Sequence, residues 1–233
     1  MKSERLDPSR VGEQNQPIRI HRRVAVFIDA ENLWSTMRYQ FPGMRFVVGK
    51  YVAFLRKEYQ HLVGAYYYGS EVPDTPETHE ERQKKKEAFL SSMRSCGCQI
   101  RMKQRKKASQ DGTKWKGNCD VELAVDAITL ASTRQVDEVI IVSADGDFSY
   151  LVKQLRGPCF GVTVTVVGPE RKTSLELRAE CDQFVSLESL KSRFMVPRPI
   201  RVREEPNPEP VAPAEPYHFA AEAIPTPKLS DDF

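Results

Sequence analysis

Aspartates close two short apolar segments of the sequence, and they are the residues best suited to chemistry. Asp29 ends the segment RVAVFID, and Asp145 and Asp147 follow the segment VIIVS. An aspartate at such a point often caps the next helix, and Asp147 suffices for that purpose after the second segment. Asp145 then has no obvious structural task, so the pattern favours a role for these carboxylates in a site.

A third acidic position lies in GNCDVELAVDAITLA, which has the periodicity of a helix. Asp120 begins a face of small residues, from which a carboxylate can approach another segment of the chain. Asp126, together with Glu122, falls on a more polar side that is typical of a solvated face. We therefore prefer Asp120 for the site and keep Asp126 as the alternative. The buried stripe of this helix is expected to consist of Val121, Val125 and Ile128.

Four carboxylates at one edge of a fold repel each other unless a cation neutralises them. Oxygen ligands without histidine or cysteine select hard ions, here Mg²⁺ or Mn²⁺. The corresponding chemistry is metal-assisted hydrolysis of a phosphodiester. The sequence contains neither GxxxxGK[ST] nor GxGxxG, which disfavours nucleoside-triphosphate hydrolysis and dinucleotide-dependent chemistry.

Strand and helix patterns alternate around these aspartates. Continuous apolar segments typical of buried strands cover residues 23–30, 62–70, 138–144 and 161–168, with weaker strand candidates at 99–103 and from 183. Helical patterns cover about 31–40, 50–59, 77–95, 118–132, 147–157 and 173–181. This order predicts an α/β fold with a mainly parallel, doubly wound sheet. In such a sheet ligands bind at the carboxyl ends of the strands, where the aspartates fall.

The composition divides the 233 residues into one domain and two tails. Nine of the sixteen prolines follow residue 196, and neither end of the chain has sustained apolar periodicity. We therefore expect disordered tails at 1–21 and 193–233 around a single domain at 22–192. No apolar run approaches the roughly 18 residues of a membrane span. The five cysteines form no repeated CxxC pair, which favours reduced thiols in a cytoplasmic protein.

Positive charge is concentrated ahead of Asp120. Residues 81–116 hold twelve Lys or Arg against three acidic residues, a net charge of +9, although the whole chain carries only +3. A basic loop leading to an acidic metal site suits a phosphodiester backbone, and Trp115 is a candidate for stacking on an unpaired base. A tryptophan that covers the core is an equally good interpretation of Trp115. The RNA-contact candidates are Arg101, Lys103, Arg105, Lys106, Lys107, Lys114 and Trp115.

Three motifs together resemble the NYN domain, the LabA-like branch of the PIN-like nuclease superfamily. They are FIDAENL at 27–33, KGNCDVELAVDA at 116–127 and VSADGDFSYLV at 142–152. The resemblance covers about residues 22–192 and implies a PIN-like three-layer α/β/α sandwich with a Mg²⁺-binding ribonuclease centre. By motif position it implies metal ligands at Asp29, Asp120, Asp145 and Asp147. It also implies that Asn32 places a water or phosphate and that Lys116 contacts the scissile phosphate.

The sequence thus predicts a Mg²⁺- or Mn²⁺-dependent ribonuclease acting on single-stranded or structured RNA. An RNA-binding or regulatory module with the same fold and little turnover is the alternative, and a Rossmann-like small-molecule enzyme is disfavoured by the missing glycine fingerprint. No membrane partner is expected. The sequence leaves open a homo-oligomer and a protein partner bound through the proline-rich tail.

Overall fold

Strands and helices alternate along the chain, as the apolar pattern predicts. The computed structural model describes residues 22–59, 61–71, 79–107, 115–116 and 118–198. Its elements in chain order are β1 (Arg23–Asp29), α1 (Ala30–Tyr39), β2 (Met44–Phe46), α2 (Val48–Glu58), β3 (His61–Glu71), α3 (His79–Ser95), β4 (Cys98–Gln104), β5 (Lys106–Lys107), β6 (Trp115–Lys116), α4 (Asp120–Ser132), β7 (Glu138–Val142), a 3₁₀ helix (Gly146–Phe148), α5 (Ser149–Arg156), β8 (Thr163–Gly168), α6 (Leu175–Glu180), β9 (Gln183–Ser186), α7 (Leu187–Phe194) and β10 (Met195–Pro197). Within these ranges no helix is both long and apolar enough to cross a membrane.

Six strands form the central sheet in the order β4-β3-β1-β7-β8-β9. All five pairings in this sheet are parallel, which confirms the predicted α/β class. The chain builds outward from β1 to β4 and then continues on the other side of β1 with β7. The direction of strand order therefore reverses between β1 and β7, and a crevice opens at the carboxyl ends of that pair.

The two faces of the sheet are buried under separate helical layers. Side chains of β1 alternate between them: Val26 and Ile28 belong to one core, and Ala25 and Phe27 belong to the other. Helices α1, α2, α3 and α7 contribute to the first core, and α4, α5 and α6 contribute to the second. The result is the expected three-layer α/β/α sandwich.

Helix α4 packs on the sheet with the face that the sequence analysis had not assigned to the core. Its buried side chains are Leu123, Ala127 and Ala131, whereas Val121 is 68% exposed and Val125 is 56% exposed. The expectation of a buried valine stripe is therefore wrong. Phe27, Tyr66 and Tyr68 already fill this face of the sheet, so the small alanine side chains fit against them.

The folded part of the chain extends past residue 192. Residues 193–197 complete α7 and form β10, which pairs antiparallel with β2. Phe194 and Met195 are buried in the first core, and the ring of Phe194 lies 5.3 Å from that of Tyr51. The expected tail boundary at 193 therefore cuts through packed structure. The remainder of the two expected tails, 1–21 and 199–233, lies outside the described residues.

A chain ending at Arg193 should be much less stable than one ending at Arg198. The shorter chain loses Phe194 and Met195, and loss of one buried phenylalanine costs about 3–5 kcal/mol in core substitutions. We expect its thermal midpoint to fall by roughly 10 °C or more, while the chain ending at Arg198 keeps the midpoint of the full protein. Thermal unfolding of the three chains by circular dichroism tests this, and equal midpoints for both truncations would contradict the packing of β10.

Candidate active site

Side-chain hydrogen bonds join the carboxyl ends of β1 and β7. The Ser143 hydroxyl donates to Asp29 Oδ2 at 2.9 Å, and the backbone N–H of Ala144 donates to Asn32 Oδ1 at 2.9 Å. Asp29 Oδ1 accepts the backbone N–H of Asn32 at 3.1 Å and so caps α1. Asn32 therefore fixes the loop after β7, and its side-chain carbonyl is already used for that purpose.

Asp145 caps the 3₁₀ helix that follows β7. Its Oδ1 accepts the backbone N–H of Asp147 at 3.1 Å, while Asp147 itself is exposed. The sequence favours Asp147 as the cap, but in the structure the cap is Asp145. Each capping carboxylate keeps further lone pairs for another ligand, so a cap and a metal contact are compatible in one residue.

Asp120 completes the group of predicted aspartates. It stands at the first turn of α4 and is partly buried. Burial, together with the negative charges of Asp29, Asp145, Glu31 and Asp147, raises the pKa of Asp120 to about 6. Because these charges act on one carboxyl, the four predicted aspartates share one edge of the sheet. We call Asp29, Glu31, Asp120, Asp145 and Asp147 the acidic centre.

Glu31 is a member of the acidic centre that the sequence analysis did not single out. Its Oε2 accepts from Arg105 Nη2 at 2.7 Å, while its Oε1 is buried without a hydrogen-bond partner in the described part of the chain. Burial raises the pKa of Asp29, and the neighbouring charges of Glu31 and Asp145 add to that rise. A glutamate in the first turn of a helix is usually explained by the helix dipole, so nothing in the sequence distinguished it.

The donor chemistry of the acidic centre fits a hard divalent cation. All its donors are carboxylate oxygens, their negative charges repel one another, and Glu31 Oε1 has no hydrogen-bond partner among the described residues. Among the described residues no three acidic, histidine or cysteine side chains are close enough to hold an ion by themselves. Mg²⁺ needs fewer protein ligands than that, because it keeps several waters and binds through one or two carboxylates plus substrate phosphate.

The basic residues of β4, and Arg105 directly after it, face carboxylates rather than solvent alone. Ion pairs join Arg101 to Asp126 (3.4 Å), Lys103 to Glu122 (2.6 Å) and Arg105 to Glu31 (2.7 Å). Asp126 also accepts from the Tyr68 hydroxyl at 2.7 Å, so it is held to the sheet and not to the acidic centre.

The remaining RNA-contact candidates lie on or near a small hairpin. Strands β5 and β6 pair antiparallel, with Lys106 opposite Lys116 and Lys107 opposite Trp115. Lys106 is exposed, and no carboxylate in the described ranges pairs with it. The side chains of Lys107, Trp115 and Lys116, and the whole of Lys114, lie outside the described part of the structure, so their roles stay predictions.

Two clefts border the acidic centre. One of about 640 Å³ contains Asn32, Tyr39, Asp145 and Lys172 among its lining residues, and another of about 510 Å³ is lined by residues that include Glu31, Trp34 and Arg105. The sequence analysis missed Lys172 because it lies far from the basic segment at 81–116. It missed Trp34 because a tryptophan in an amphipathic helix normally indicates core.

The family profile described as NYN domain matches residues 23–188. The chain belongs to the NYN domain family. It is 26% identical over 175 residues to the low amplitude and bright protein LabA of Synechococcus elongatus, with 73% of this chain and 86% of that protein covered. A crystal structure of a Vibrio parahaemolyticus protein of unknown function matches with a TM-score of 0.56 at 26% identity, covering 76% of this chain and 98% of the other.

Membership confirms the resemblance carried by the three motifs and locates the NYN domain on the sheet described above. The matched range spans β1 to the start of α7 and includes every residue of the acidic centre. An NYN domain indicates an RNA-related nuclease or regulatory role.

The raised pKa of Asp120 predicts a measurable pH dependence of stability in metal-free protein. Because the folded pKa of about 6 exceeds the ordinary value of about 4, the folded chain binds more protons between these two values. The contribution of Asp120 is therefore fully present below about pH 4 and is lost as the pH rises through 6. With chelator present, Asp120→Asn should melt above wild type at pH 7.5, and the difference should shrink at pH 4.5.

Asp126→Asn on the same helix is the matched control. Its carboxylate accepts from Tyr68 and pairs with Arg101, so neutralising it should not raise the melting temperature at pH 7.5. A difference between Asp120→Asn and wild type that is constant with pH would contradict the electrostatic account.

Proposed function

We propose that the protein is a divalent-metal-dependent ribonuclease that hydrolyses phosphodiester bonds at the acidic centre. The observation that supports this most is the convergence of five carboxylates at the β1–β7 reversal, where burial and the neighbouring negative charges together raise the pKa of Asp120 to about 6. Such repulsion disfavours the bare site and is relieved by a cation. Membership of the NYN domain family supports RNA as the substrate.

The residues of the acidic centre have distinct tasks in this proposal. Among Asp29, Asp120, Asp145 and Asp147, one or two carboxylates would bind the ion directly, and the remaining ones and Glu31 would bind its waters. When bound, Mg²⁺ or Mn²⁺ supplies the positive charge that activates water and neutralises the reacting phosphate. Ser143 and the first turn of α1 keep Asp29 in one orientation through the bonds to its two oxygens. Lys116 is proposed to contact the scissile phosphate.

An RNA-binding module with little turnover is the second candidate, and two observations favour it. The described donors are not arranged around a preformed ion position, and both oxygens of Asp29 already accept hydrogen bonds. Such a module would bind RNA through the same clefts and the basic hairpin. It is distinguished from the nuclease by RNA that remains intact in the presence of Mg²⁺ or Mn²⁺ despite tight binding.

Asp29→Asn and Asp145→Asn should each abolish cleavage of a mixed RNA pool while the protein stays folded. Asparagine caps a helix about as well as aspartate, so the α1 and 3₁₀ starts are kept while the negative charge is lost, and in Asp29→Asn the Ser143 hydroxyl also loses Oδ2 as its acceptor. We expect a fall in rate of 10²-fold or more, on the order expected when a key charged group is lost. Wild-type activity should disappear with chelator and return with Mn²⁺, as measured by gel electrophoresis of labelled RNA.

Asp137→Asn is the control for this experiment. Asp137 precedes β7 at the opposite edge of the sheet, where it pairs with Arg23 at 2.6 Å, so its loss should leave the cleavage rate unchanged. Full activity in Asp29→Asn or Asp145→Asn would refute the assignment of the ion to the acidic centre.

The ion pairs of β4 predict unequal contributions of neighbouring lysines to RNA affinity. A lysine that neutralises a phosphate contributes about 0.7 to the slope of log K against log salt for a single strand. Lys106→Ala should lower the slope by about that amount. Lys103→Ala should lower it less, because Glu122 already neutralises Lys103 at 2.6 Å.

Glu122→Gln provides the complementary variant, since it releases Lys103 and should steepen the salt dependence. Salt titrations of one labelled RNA in metal-free buffer measure all three slopes. Equal slopes for the two lysine variants would show that the Lys103–Glu122 pair does not persist on RNA.

A further inference from the structure

The cleft of about 510 Å³ beside the acidic centre combines apolar and charged walls. Its apolar wall includes three of the large side chains that the fold leaves exposed: Trp34 at 56%, Phe89 at 39% and Met102 at 38%. Its polar wall includes Glu31 and Arg105, which pair at 2.7 Å. Clustered apolar exposure next to charge is typical of a ligand site rather than of ordinary surface.

Trp34 is held as a rigid platform in this cleft. Its indole N–H donates to the Tyr67 hydroxyl at 3.1 Å, and Tyr67 is 3% exposed, so the hydrogen bond anchors the edge of the indole to the sheet. The Tyr67 ring in turn meets Phe89 edge-on, with centroids 5.8 Å apart. A ring that is fixed before the ligand arrives loses little side-chain entropy on binding.

The cleft adjoins the place where the reacting phosphate would bind. Glu31 lines the cleft and also belongs to the acidic centre, where its charge acts on Asp29 and Asp120. A group bound against Trp34 therefore lies next to the phosphate that the acidic centre would bind. In a polynucleotide, the planar apolar group adjacent to a phosphate is a base.

We infer that this cleft binds one unpaired base of single-stranded RNA by stacking on Trp34, next to the scissile phosphate. Arg105, at the cleft wall, would turn from Glu31 toward the adjoining phosphate. A base inside a duplex cannot enter the cleft, so the subsite selects single strands over paired RNA. The position of the base next to the scissile phosphate rests on the proposed function, whereas the stacking contact with Trp34 does not.

The test uses the two tryptophans of the chain. In a Trp115→Phe background Trp34 is the one remaining tryptophan, so tryptophan emission reports on it. Chelator is added to prevent cleavage. Oligouridylate of ten nucleotides should quench Trp34 emission, whereas a ten-residue abasic ribose-phosphate chain and a ten-base-pair RNA duplex should not. Trp34→Ala should weaken oligouridylate binding about 5- to 150-fold, as expected for one stacked base. Binding of the abasic chain should not change.

Three variants separate stacking from structural effects. Trp34→Phe keeps a π face and should bind oligouridylate within about threefold of the parent. Tyr67→Phe removes the anchoring hydroxyl without touching the indole, so it should weaken binding by less than Trp34→Ala. Tyr150→Ala alters a tyrosine that is 72% exposed on α5 and should have no effect.

The outcomes distinguish the subsite from the nuclease. Quenching by oligouridylate in a protein that cleaves nothing supports the subsite and refutes the proposed activity. Cleavage of RNA with no loss of affinity in Trp34→Ala refutes the subsite and leaves the activity standing. Equal quenching by the abasic chain also refutes it. Trp34 emission that does not change on addition of oligouridylate refutes it too.

Discussion

The contact between the ends of β1 and β7 is the constraint on which the site depends. Parallel pairing aligns the two strands from Val24 opposite Glu138 to Ile28 opposite Val142, so the residues that follow must emerge together. Asp29 and Ser143 then meet at 2.9 Å, and the loop to Asp145 is fixed by Asn32. The register therefore brings Asp29 and Asp145 together, and α1 and α4 add Glu31 and Asp120 to the same edge even though these charges repel.

Acidic and basic side chains also form ion pairs around this edge of the sheet. Part of the positive segment that dominates the sequence is compensated once folded, because β4 lies beside α4 and directs Lys103 to Glu122 and Arg101 to Asp126. The field that an approaching polynucleotide meets is therefore weaker than the net charge of +9 for residues 81–116 implies. Binding must involve exchange of carboxylate partners for phosphates, as well as attraction to cations such as Lys106 that have no carboxylate partner among the described residues.

The sheet could be predicted from the sequence, and so could the position of Asp29, Asp145 and Asp147 at strand ends, because both depend on local pattern. A continuous apolar segment that ends in aspartate already specifies a buried strand and the edge at which it finishes. The packing face of α4 could not be predicted in this way, since periodicity measures apolarity and not the shape of the partner. Phe27 and Tyr68 occupy the space that Val121 and Val125 would have filled.

Some candidate site residues were missed for the same reason, because their role depends on their neighbours in the fold. Glu31, Trp34 and Lys172 are ordinary in sequence, and each acquires meaning only from neighbours that are distant along the chain. The pair between Glu31 and Arg105 joins residues 74 positions apart. Likewise α7 and β10 were not predicted, because their short apolar segments are recognisable only against β2 and α2.

The use of Asp29 and Asp145 as helix caps has an evolutionary consequence. Each carboxylate serves the fold through a hydrogen bond that an amide forms equally well. A lineage that exchanges both for asparagine loses two anionic ligands and keeps both helix starts. Folding and the proposed hydrolysis therefore depend on separable properties of the same side chains. Under that proposal, an enzyme and a binding protein of this architecture can share one backbone and differ in the residues at the strand ends.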